Sequence, residues 1–248
     1  MSTTDPVDVL GGLVNFRDLG GMPRQDGGVT TSGVLYRSDA PHVGDRVPQD
    51  APEWPPAVVV DLRDEVELNE GPHPMADLAE VHSVPLLEDV EIGASDRLDD
   101  HELTTLYQSI VDHAAKKLVE VFRIVLNADG PALIHCAAGK DRTGVSAALL
   151  LSLVDVRRDA VVADYVRTDG NMFRVLQRLQ VLSPELPQGV DLESVRDLMS
   201  APAESIERVL SRFADHPDGA AGWLRGHGVT DAELRRWQDK FAGAAERG

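Results

Sequence analysis

Cysteine is almost absent from this chain of 248 residues, because Cys136 is its one thiol. A single cysteine excludes an internal disulfide and every metal site built from several cysteines. It suits a reducing compartment, and no second thiol in the chain can resolve an oxidised Cys136. Cys136 is therefore either a reactive thiol or a small buried hydrophobe.

Metal-binding histidine pairs and long apolar runs are also missing. The eight histidines form no HxxxH or HExxH pair, so we expect no metal and no cofactor, and we interpret His42, His73 and His227 as surface residues. No stretch reaches membrane-spanning length, and the N-terminus has neither a basic segment nor a long apolar run. We expect a cytoplasmic protein without an integral membrane segment. Export by a pathway that needs no cleavable signal is compatible with the same sequence.

Basic residues are scarce relative to acidic ones, with 24 Lys and Arg against 42 Asp and Glu and a formal charge of −18. This excess argues against nucleic acid or an anionic membrane surface as a standing partner. An anion site would depend on local donors, since salt screens the acidic body beyond roughly 8 Å. The apolar content of 42% is ordinary for a globular protein, and we expect one monomeric domain over residues 1–248.

A short loop lies between an apolar strand and an apolar helix, and it carries the chemistry. Ala132 to Ile134 predicts a buried strand, Val145 to Val154 predicts a buried helix, and His135 to Thr143 forms the loop. Five residues separate Cys136 from Arg142. That spacing lets successive backbone N–H groups converge at a helix N-terminus, where they bind an anion.

Each residue type in the loop has a role if the anion is a phosphoryl group that is transferred. Cys136 is the expected nucleophile, since the amides, the helix dipole and Arg142 favour its thiolate. The planar guanidinium of Arg142 can hold two phosphoryl oxygens, which lysine cannot do. We expect His135 to orient the loop from behind. The remaining phosphate-binding candidates are the rest of the loop: Ala137, Ala138, Gly139, Lys140 and Thr143, whose hydroxyl could donate to the leaving sulfur.

The ten residues from His135 to Gly144 match the pattern HCxxGxxRTG. This pattern resembles the signature of the cysteine-dependent protein tyrosine phosphatase superfamily, and the KDRTG ending resembles its atypical bacterial and fungal branch, called triple-specificity phosphatases. Three other stretches resemble that branch: Asn15 to Gly21, Gly33 to Ser38, and Val58 to Arg63. The resemblance implies a phosphocysteine intermediate and a tyrosine phosphatase fold.

The general acid is not evident from the superfamily pattern. Members of the superfamily usually take the leaving-group proton from the aspartate of a Trp-Pro-Asp sequence, which is absent here, and the sequence WPP at 54–56 lacks the carboxylate. In the branch that the chain resembles, the aspartate inside the phosphate loop acts instead, which points to Asp141. Its cationic neighbours Lys140 and Arg142 favour its ionised form, which suits a base unless a bound dianion intervenes. Asp61 is the reserve candidate.

Three functions fit these residues. The first is hydrolysis of phosphotyrosine in proteins, with phosphoserine and phosphothreonine as further substrates and phosphate as product or inhibitor. The second applies the same chemistry to phosphoinositides, with Lys140 neutralising the extra phosphates. The third is a phosphate-binding module without catalysis, against which the intact Cys136 and Arg142 argue. Rhodanese and arsenate reductase also use loop cysteines, but the arginine and threonine fit them less well.

Alternating strands and helices predict an α/β fold with a central, mostly parallel sheet flanked by helices. The predicted strands are Leu13–Leu19, Val34–Arg37, Val58–Arg63 and Glu80–Leu86, besides the one before the loop. The predicted helices are 64–70, Leu103–Leu126, 157–167, 173–182, 192–199 and two apolar sets near the C-terminus. Residues 168–200 resemble the helical lid insertion of the phosphatase branch. An ordinary helical hairpin packed on the core fits them as well.

Overall fold

The computed structural model of the chain describes residues 11–68, 71–88, 100–182 and 200–243. The strands are β1 Arg17–Asp18, β2 Leu35–Ser38, β3 Val58–Asp61, β4 Glu80–Ser83 and β5 Ala132–His135. The helices are α1 Asp100–His113, α2 Ala115–Asn127, α3 Asp141–Ser152, α4 Arg158–Val166, α5 Asp169–Leu182, α6 Ala203–Ala214, α7 Gly219–Gly226 and α8 Asp231–Phe241, and a 3-10 turn spans Glu65–Glu67. Among these helices, none has the length and apolar character needed to cross a lipid bilayer.

The sheet places β5 in the middle of its five strands, in the order β1-β2-β5-β3-β4. β1 is antiparallel to β2, and the other three pairings are parallel. His135 at the end of β5 is paired with Ser38 at the end of β2 on one side and with Asp61 at the end of β3 on the other. The carboxyl ends of these strands therefore form one edge, and α/β sheets bind their ligands at such an edge. The predicted α/β class is confirmed.

Successive strand residues face opposite sides of the sheet, and each side has its own core. Val60 and Ile134 belong to the large cluster that the helices cover, whereas Val59 and Leu133 belong to a smaller cluster on the other face. Loop residues cover this second face: Phe16, Trp54 and Met75. Helix α6 buries the stripe that its spacing predicts, namely Ile206, Val209, Leu210 and Phe213. The sheet is thus buried on both faces, as a parallel sheet requires.

Two helix boundaries illustrate where the structure differs from the sequence prediction. The helix expected over Leu103–Leu126 is divided into α1 and α2 at Ala114, whose backbone leaves helical geometry with φ −94° and ψ 22°. The helix expected from Val145 begins four residues earlier, at Asp141. Apolar periodicity continues across the first boundary and starts too late at the second, because the first turn of α3 is polar although most of it is buried.

The predicted strand Leu13–Leu19 is reduced to the two residues of β1. The first part of the proposed lid at 168–200 is helix α5. Residues 183–199, which include the predicted helix 192–199, lie outside the described part of the chain. The lid therefore stays a prediction.

Candidate active site

The loop between β5 and α3 begins with two carbonyl groups that face away from the space it encloses. The carbonyl oxygen of Cys136 lies 3.2 Å from Nδ1 of His135, behind the loop. The carbonyl oxygen of Ala137 accepts a hydrogen bond from the amide of Ala40 at 3.0 Å. Both oxygens are therefore satisfied by the body of the protein.

The next two carbonyls of the loop are held in the same way. Nδ2 of Asn15 donates to the carbonyl oxygens of Ala138 and Gly139 at 3.0 and 3.2 Å, and Arg37 donates to Gly139 at 2.8 Å. In a trans peptide the N–H group points opposite to the C=O group. The amides of residues 137–140 therefore point toward the enclosed space, and such convergent N–H groups form an anion site.

A buried ion-pair network supports these contacts. The carboxylate of Asp164 lies 2.6 Å from Nε of Arg17 and 2.6 Å from an Nη of Arg37. Arg17 in turn donates to the side-chain oxygen of Asn15 at 2.7 Å. Asn15 and Arg17 thus hold the loop in place. The carboxylate of Asp18 instead accepts hydrogen bonds from backbone amides in the turns of its own hairpin.

Glycine is required at one position of the loop. Gly139 has φ +69°, and a Cβ atom there would lie 2.2 Å from the carbonyl oxygen of Ser38. Real side chains do not make such a contact, so the loop could not approach the end of β2 this closely with any other residue. The close approach that requires glycine at this position is therefore made to the protein's own backbone.

Cys136 and Arg142 are brought together at the two ends of the loop. Cys136 follows β5 and is buried, and Arg142 lies in the first turn of α3. Burial opposes the charge of Arg142, but its bonds to Glu67 and the nearby Cys136 outweigh burial and raise its pKa above the ordinary value. The guanidinium of Arg142 therefore stays charged at its end of the loop.

Acidic side chains beside the 3-10 turn hold the guanidinium of Arg142. One Nη of Arg142 donates to Glu67 at 2.7 Å, and the other bonds both Glu67 and Asp64, the latter at 3.1 Å. Sequence reasoning missed both carboxylates, because they lie in a run of acidic residues that resembles a solvated surface helix. The contacts fix the orientation of the planar side chain.

Lys140 and Asp141 lie at the start of α3 with different exposures. Lys140 is buried, and its Nζ donates to the carbonyl of Ser200 at 3.0 Å. The carboxylate of Asp141 is 27% exposed, lies 3.6 Å from Nζ of Lys140, and accepts a hydrogen bond from Tyr107 at 2.6 Å. The reserve candidate Asp61 is buried, and both of its oxygens accept bonds from Arg63. Asp141 is therefore the better placed carboxylate for proton transfer.

A chain of two histidines lies behind the loop. Burial lowers the pKa of His135 to about 4, so its ring is neutral near pH 7 and donates from Nδ1 to the carbonyl of Cys136. Its Nε2 must then accept from Nε2 of His73 at 3.1 Å, and Nδ1 of His73 accepts from the amide of Met75. His73 is 9% exposed, so its interpretation as a surface residue was wrong.

The same histidines could in principle hold a metal with Asp61, because one ligand atom from each of the three residues lies within 4.8 Å of the others. The contacts do not favour a cation there. Arg63 binds both oxygens of Asp61, and a cation would have to displace or oppose that guanidinium. The histidine nitrogens also satisfy one another. The group therefore fits a hydrogen-bond chain that orients the loop from behind.

The hydroxyl of Thr143 is buried, and Oγ1 has no hydrogen-bond partner among the residues that the structure describes. A buried hydroxyl without a partner is unusual in proteins. Donation to the sulfur of Cys136 stays a prediction for this residue.

Comparisons with known proteins agree with this geometry. The model of a family described as the tyrosine phosphatase family matches residues 9–243. The triple specificity protein phosphatase PtpB of Mycobacterium tuberculosis is 26% identical over 225 residues, which cover 75% of this chain and 82% of that protein. A tyrosine-protein phosphatase of Nostoc commune is 43% identical over 60 residues, 24% of this chain and 20% of that protein.

The chain therefore belongs to the tyrosine phosphatase family, since the match covers nearly its whole length. It is a protein tyrosine phosphatase and hence a phosphoric monoester hydrolase, as the resemblance of its loop implied.

Proposed function

We propose that Cys136, Arg142 and Asp141 carry out the hydrolysis of phosphotyrosine in proteins through a phosphocysteine intermediate. The observation that supports this most is the loop itself, whose carbonyls at residues 136–139 bond the body of the protein, so that the amides of residues 137–140 point the opposite way. Activity toward phosphoserine and phosphothreonine is part of the proposal. The mycobacterial relative is a triple specificity protein phosphatase, which supports that wider range.

In the first step the thiolate of Cys136 attacks phosphorus, and the bond from phosphorus to the substrate oxygen breaks. Arg142 and the loop amides hold the three other phosphoryl oxygens and stabilise the charge that spreads over them. Asp141, protonated for this step, gives its proton to the leaving oxygen. Glu67 holds Arg142 in place beforehand, and the incoming phosphoryl oxygens compete with its carboxylate.

In the second step a water molecule attacks the phosphocysteine, and the bond from sulfur to phosphorus breaks. Asp141, now a carboxylate, accepts a proton from the water. The hydroxyl of Thr143 stabilises the departing thiolate of Cys136. Inorganic phosphate leaves, and because it fits the same amides, it acts as a competitive inhibitor.

A rapid-quench experiment with a labelled phosphotyrosine peptide tests the covalent step. The wild type is expected to show a burst of dephosphorylated peptide and one labelled phosphoryl group per chain. Cys136→Ser is expected to show neither. Because Cys136 is the only cysteine, no other thiol can carry the label. Turnover that persists in Cys136→Ser would contradict the mechanism.

The buried position of Lys140 argues for protein substrates over phosphoinositides. Its Nζ donates to the carbonyl of Ser200 and lies 3.6 Å from the carboxylate of Asp141. We expect phosphotyrosine peptides to be hydrolysed with a higher kcat/KM than soluble phosphoinositides. A panel of both substrates, with phosphoserine and phosphothreonine peptides included, measures the preference directly.

We also propose that the enzyme is a monomer of a bacterial cytoplasm. Its single thiol suits a reducing compartment, and the two similar phosphatases come from bacteria. Cell fractionation and size-exclusion chromatography with light scattering test the two parts.

Residues 168–200 are further proposed to cover the active site as a lid. The attachment of Lys140 to Ser200 at 3.0 Å supports this, because it ties the end of the segment to the catalytic loop. A lid would shield Cys136 from peroxide. Deletion of residues 183–199 is then expected to speed inactivation by peroxide, and an unchanged rate would contradict the lid.

A further inference from the structure

The hydroxyl of Tyr107 contacts the carboxylate of Asp141 inside the protein. Tyr107 lies on α1 and is fully buried, and its hydroxyl oxygen is 2.6 Å from Oδ1 of Asp141. The two residues are 34 positions apart in the chain. Over the described ranges, Oδ2 of Asp141 accepts no hydrogen bond, so the two oxygens of this carboxylate have different surroundings.

The positions of the hydrogen atoms follow from the partners. Burial and the charge of Asp141 raise the pKa of Tyr107 well above its ordinary value, so Tyr107 keeps its proton and donates it to Oδ1. The oxygen of Tyr107 also lies 2.6 Å from the hydroxyl of Tyr165 on α4. Because the one proton of Tyr107 is already used, Tyr165 is the donor of that second bond. Both bonds therefore run in one direction, from Tyr165 through Tyr107 to Asp141.

We propose that Tyr107 is a positioning residue that holds Asp141 for proton transfer to the leaving group. Anchoring Oδ1 fixes the rotation of the carboxyl group and leaves Oδ2 to carry the proton. A general acid must lie within hydrogen-bond reach of the leaving oxygen, and a displacement of about 1 Å can cost about a hundredfold in rate. This inference rests on the proposed role of Asp141.

The surroundings make the hydroxyl chain rigid. The ring of Tyr165 packs so closely on α3 that a Cβ atom at Gly144 would lie 3.0 Å from it. The ring of Tyr107 meets that of Tyr165 edge to face, with the centroids 6.2 Å apart. The chain therefore fixes Asp141 relative to two helices, α1 and α4, that approach α3 from outside the loop.

Substitution of the hydroxyl alone tests the proposal. Tyr107→Phe keeps the ring and is expected to lower kcat/KM for a phosphotyrosine peptide about tenfold, the loss typical of one hydrogen bond to a charged group. An aryl phosphate whose phenol is strongly acidic needs no proton from the enzyme, so its kcat/KM is expected to stay within about twofold. A residue that only stabilised the fold would not change the ratio between the two substrates.

The chain offers a matched control in Tyr36, a buried tyrosine of β2 whose hydroxyl donates to the backbone of Glu53 at 3.0 Å. Tyr36→Phe makes the same chemical change away from Asp141. It is expected to leave the ratio of the two kcat/KM values unchanged. A ratio that falls equally in Tyr107→Phe and Tyr36→Phe would overturn the inference.

A double-mutant cycle separates this proposal from the one on which it rests. Asp141→Asn is expected to lower activity on the peptide by about 10²- to 10⁴-fold, the range of general acid catalysis. Adding Tyr107→Phe to Asp141→Asn should then cost nothing more, because Tyr107 acts through Asp141. A further tenfold loss in the double variant would overturn the positioning role of Tyr107 and leave the acid role of Asp141 standing. If Asp141→Asn by itself leaves the ratio of the two kcat/KM values unchanged, Asp141 is not the general acid. The positioning role of Tyr107 then falls as well.

Discussion

Gly139 is the residue at which the catalytic loop comes closest to its neighbouring strand. Its φ of +69° is a conformation that L side chains rarely adopt, and an added Cβ atom would lie 2.2 Å from the carbonyl oxygen of Ser38 and 2.7 Å from the amide nitrogen of Asp39. Both contacts are with backbone, which cannot move aside without shifting β2. The cost of a side chain here is therefore steric as well as conformational.

We expect Gly139→Ala to lower the free energy of unfolding by about 1–3 kcal/mol and to remove most phosphatase activity, because the loop must move. Urea denaturation and kcat/KM measure the two effects. Gly27→Ala is the matched control, since Gly27 has φ +86° but no atom within 4 Å of an added Cβ. Its cost is the conformational part alone, about 1 kcal/mol, with activity intact. Equal losses of activity in both variants would contradict this account.

Asp39 is a buried carboxyl group next to the loop scaffold. It accepts a hydrogen bond from the amide of Asn15 at 2.8 Å and lies 3.1 Å from Nε of Arg178. Burial raises the pKa of Asp39 to about 6, and the charge of Asp45 acts in the same direction while Arg178 opposes it. The folded protein therefore binds a proton at Asp39 more readily than the unfolded chain does.

The sign of the pH effect follows from this raised pKa. The contribution of Asp39 to stability is fully present below pH about 4 and is lost as the pH rises through about 6. Asp39→Asn keeps the shape of the side chain and removes its titration. We expect the free energy of unfolding of this variant, measured in urea, to fall less than that of the wild type between pH 4 and 6. Parallel curves for the two proteins would show that Asp39 does not titrate there.

Among the secondary-structure elements, α4 has a scaffolding role at the site. Its residue Asp164 binds Arg17 and Arg37, which face each other across the antiparallel pairing of β1 and β2. Burial works against the charge of Asp164, but the two arginines outweigh it and lower its pKa below the ordinary value. One carboxylate therefore joins three elements around the catalytic loop.

We expect Asp164→Asn to lower the free energy of unfolding by about 3–5 kcal/mol, because it leaves two buried guanidinium groups without a compensating charge. Activity should fall too, since Arg37 also holds the carbonyl of Gly139 at 2.8 Å. The matched control is Asp159→Asn on the same helix, where the carboxylate pairs with Arg157 in solvent. Thermal unfolding of this control should be unchanged. Similar losses in the two variants would contradict the buried network.

Element boundaries show where local sequence patterns stop being informative. The spacing of apolar residues located β5 and the body of α3, since a buried strand and a buried helix each repeat with their own period. The same spacing missed the break at Ala114, because the apolar stripe continues through it. The break separates α1, which packs against α6 and α3, from α2, which packs against β3, and the local sequence does not determine that packing.

At the scale of the whole molecule, the C-terminal helices share a core with α3, the helix that follows the loop of Cys136. Trp237 on α8 is fully buried, and its Nε1 donates to the carbonyl of Leu150 on α3 at 3.0 Å. Its ring meets that of Phe122 on α2 edge to face, with the centroids 6.3 Å apart. We propose from these contacts that residues 1–248 form one cooperative domain.

Trp237→Ala is expected to lower the free energy of unfolding by about 3–5 kcal/mol, as for other large aromatic residues removed from a core. In the wild type, tryptophan fluorescence and activity are measured over the same urea concentrations, and both are expected to change in one transition. Phe173→Ala is the control, because Phe173 on α5 is 60% exposed and its removal opens no cavity. Activity that outlasts the fluorescence change would show that the C-terminal helices unfold separately.

The sequence alone determined the catalytic loop. Five residues separate Cys136 from Arg142 between a strand and a helix, and over so short a distance covalent geometry fixes which groups can meet. Only the tertiary structure decided which side chains support that loop. Asn15, Tyr107 and Glu67 reach it from 123, 34 and 75 positions away, respectively. Such partners are set by how distant segments of the chain pack around the loop, and no local spacing of residues records that packing.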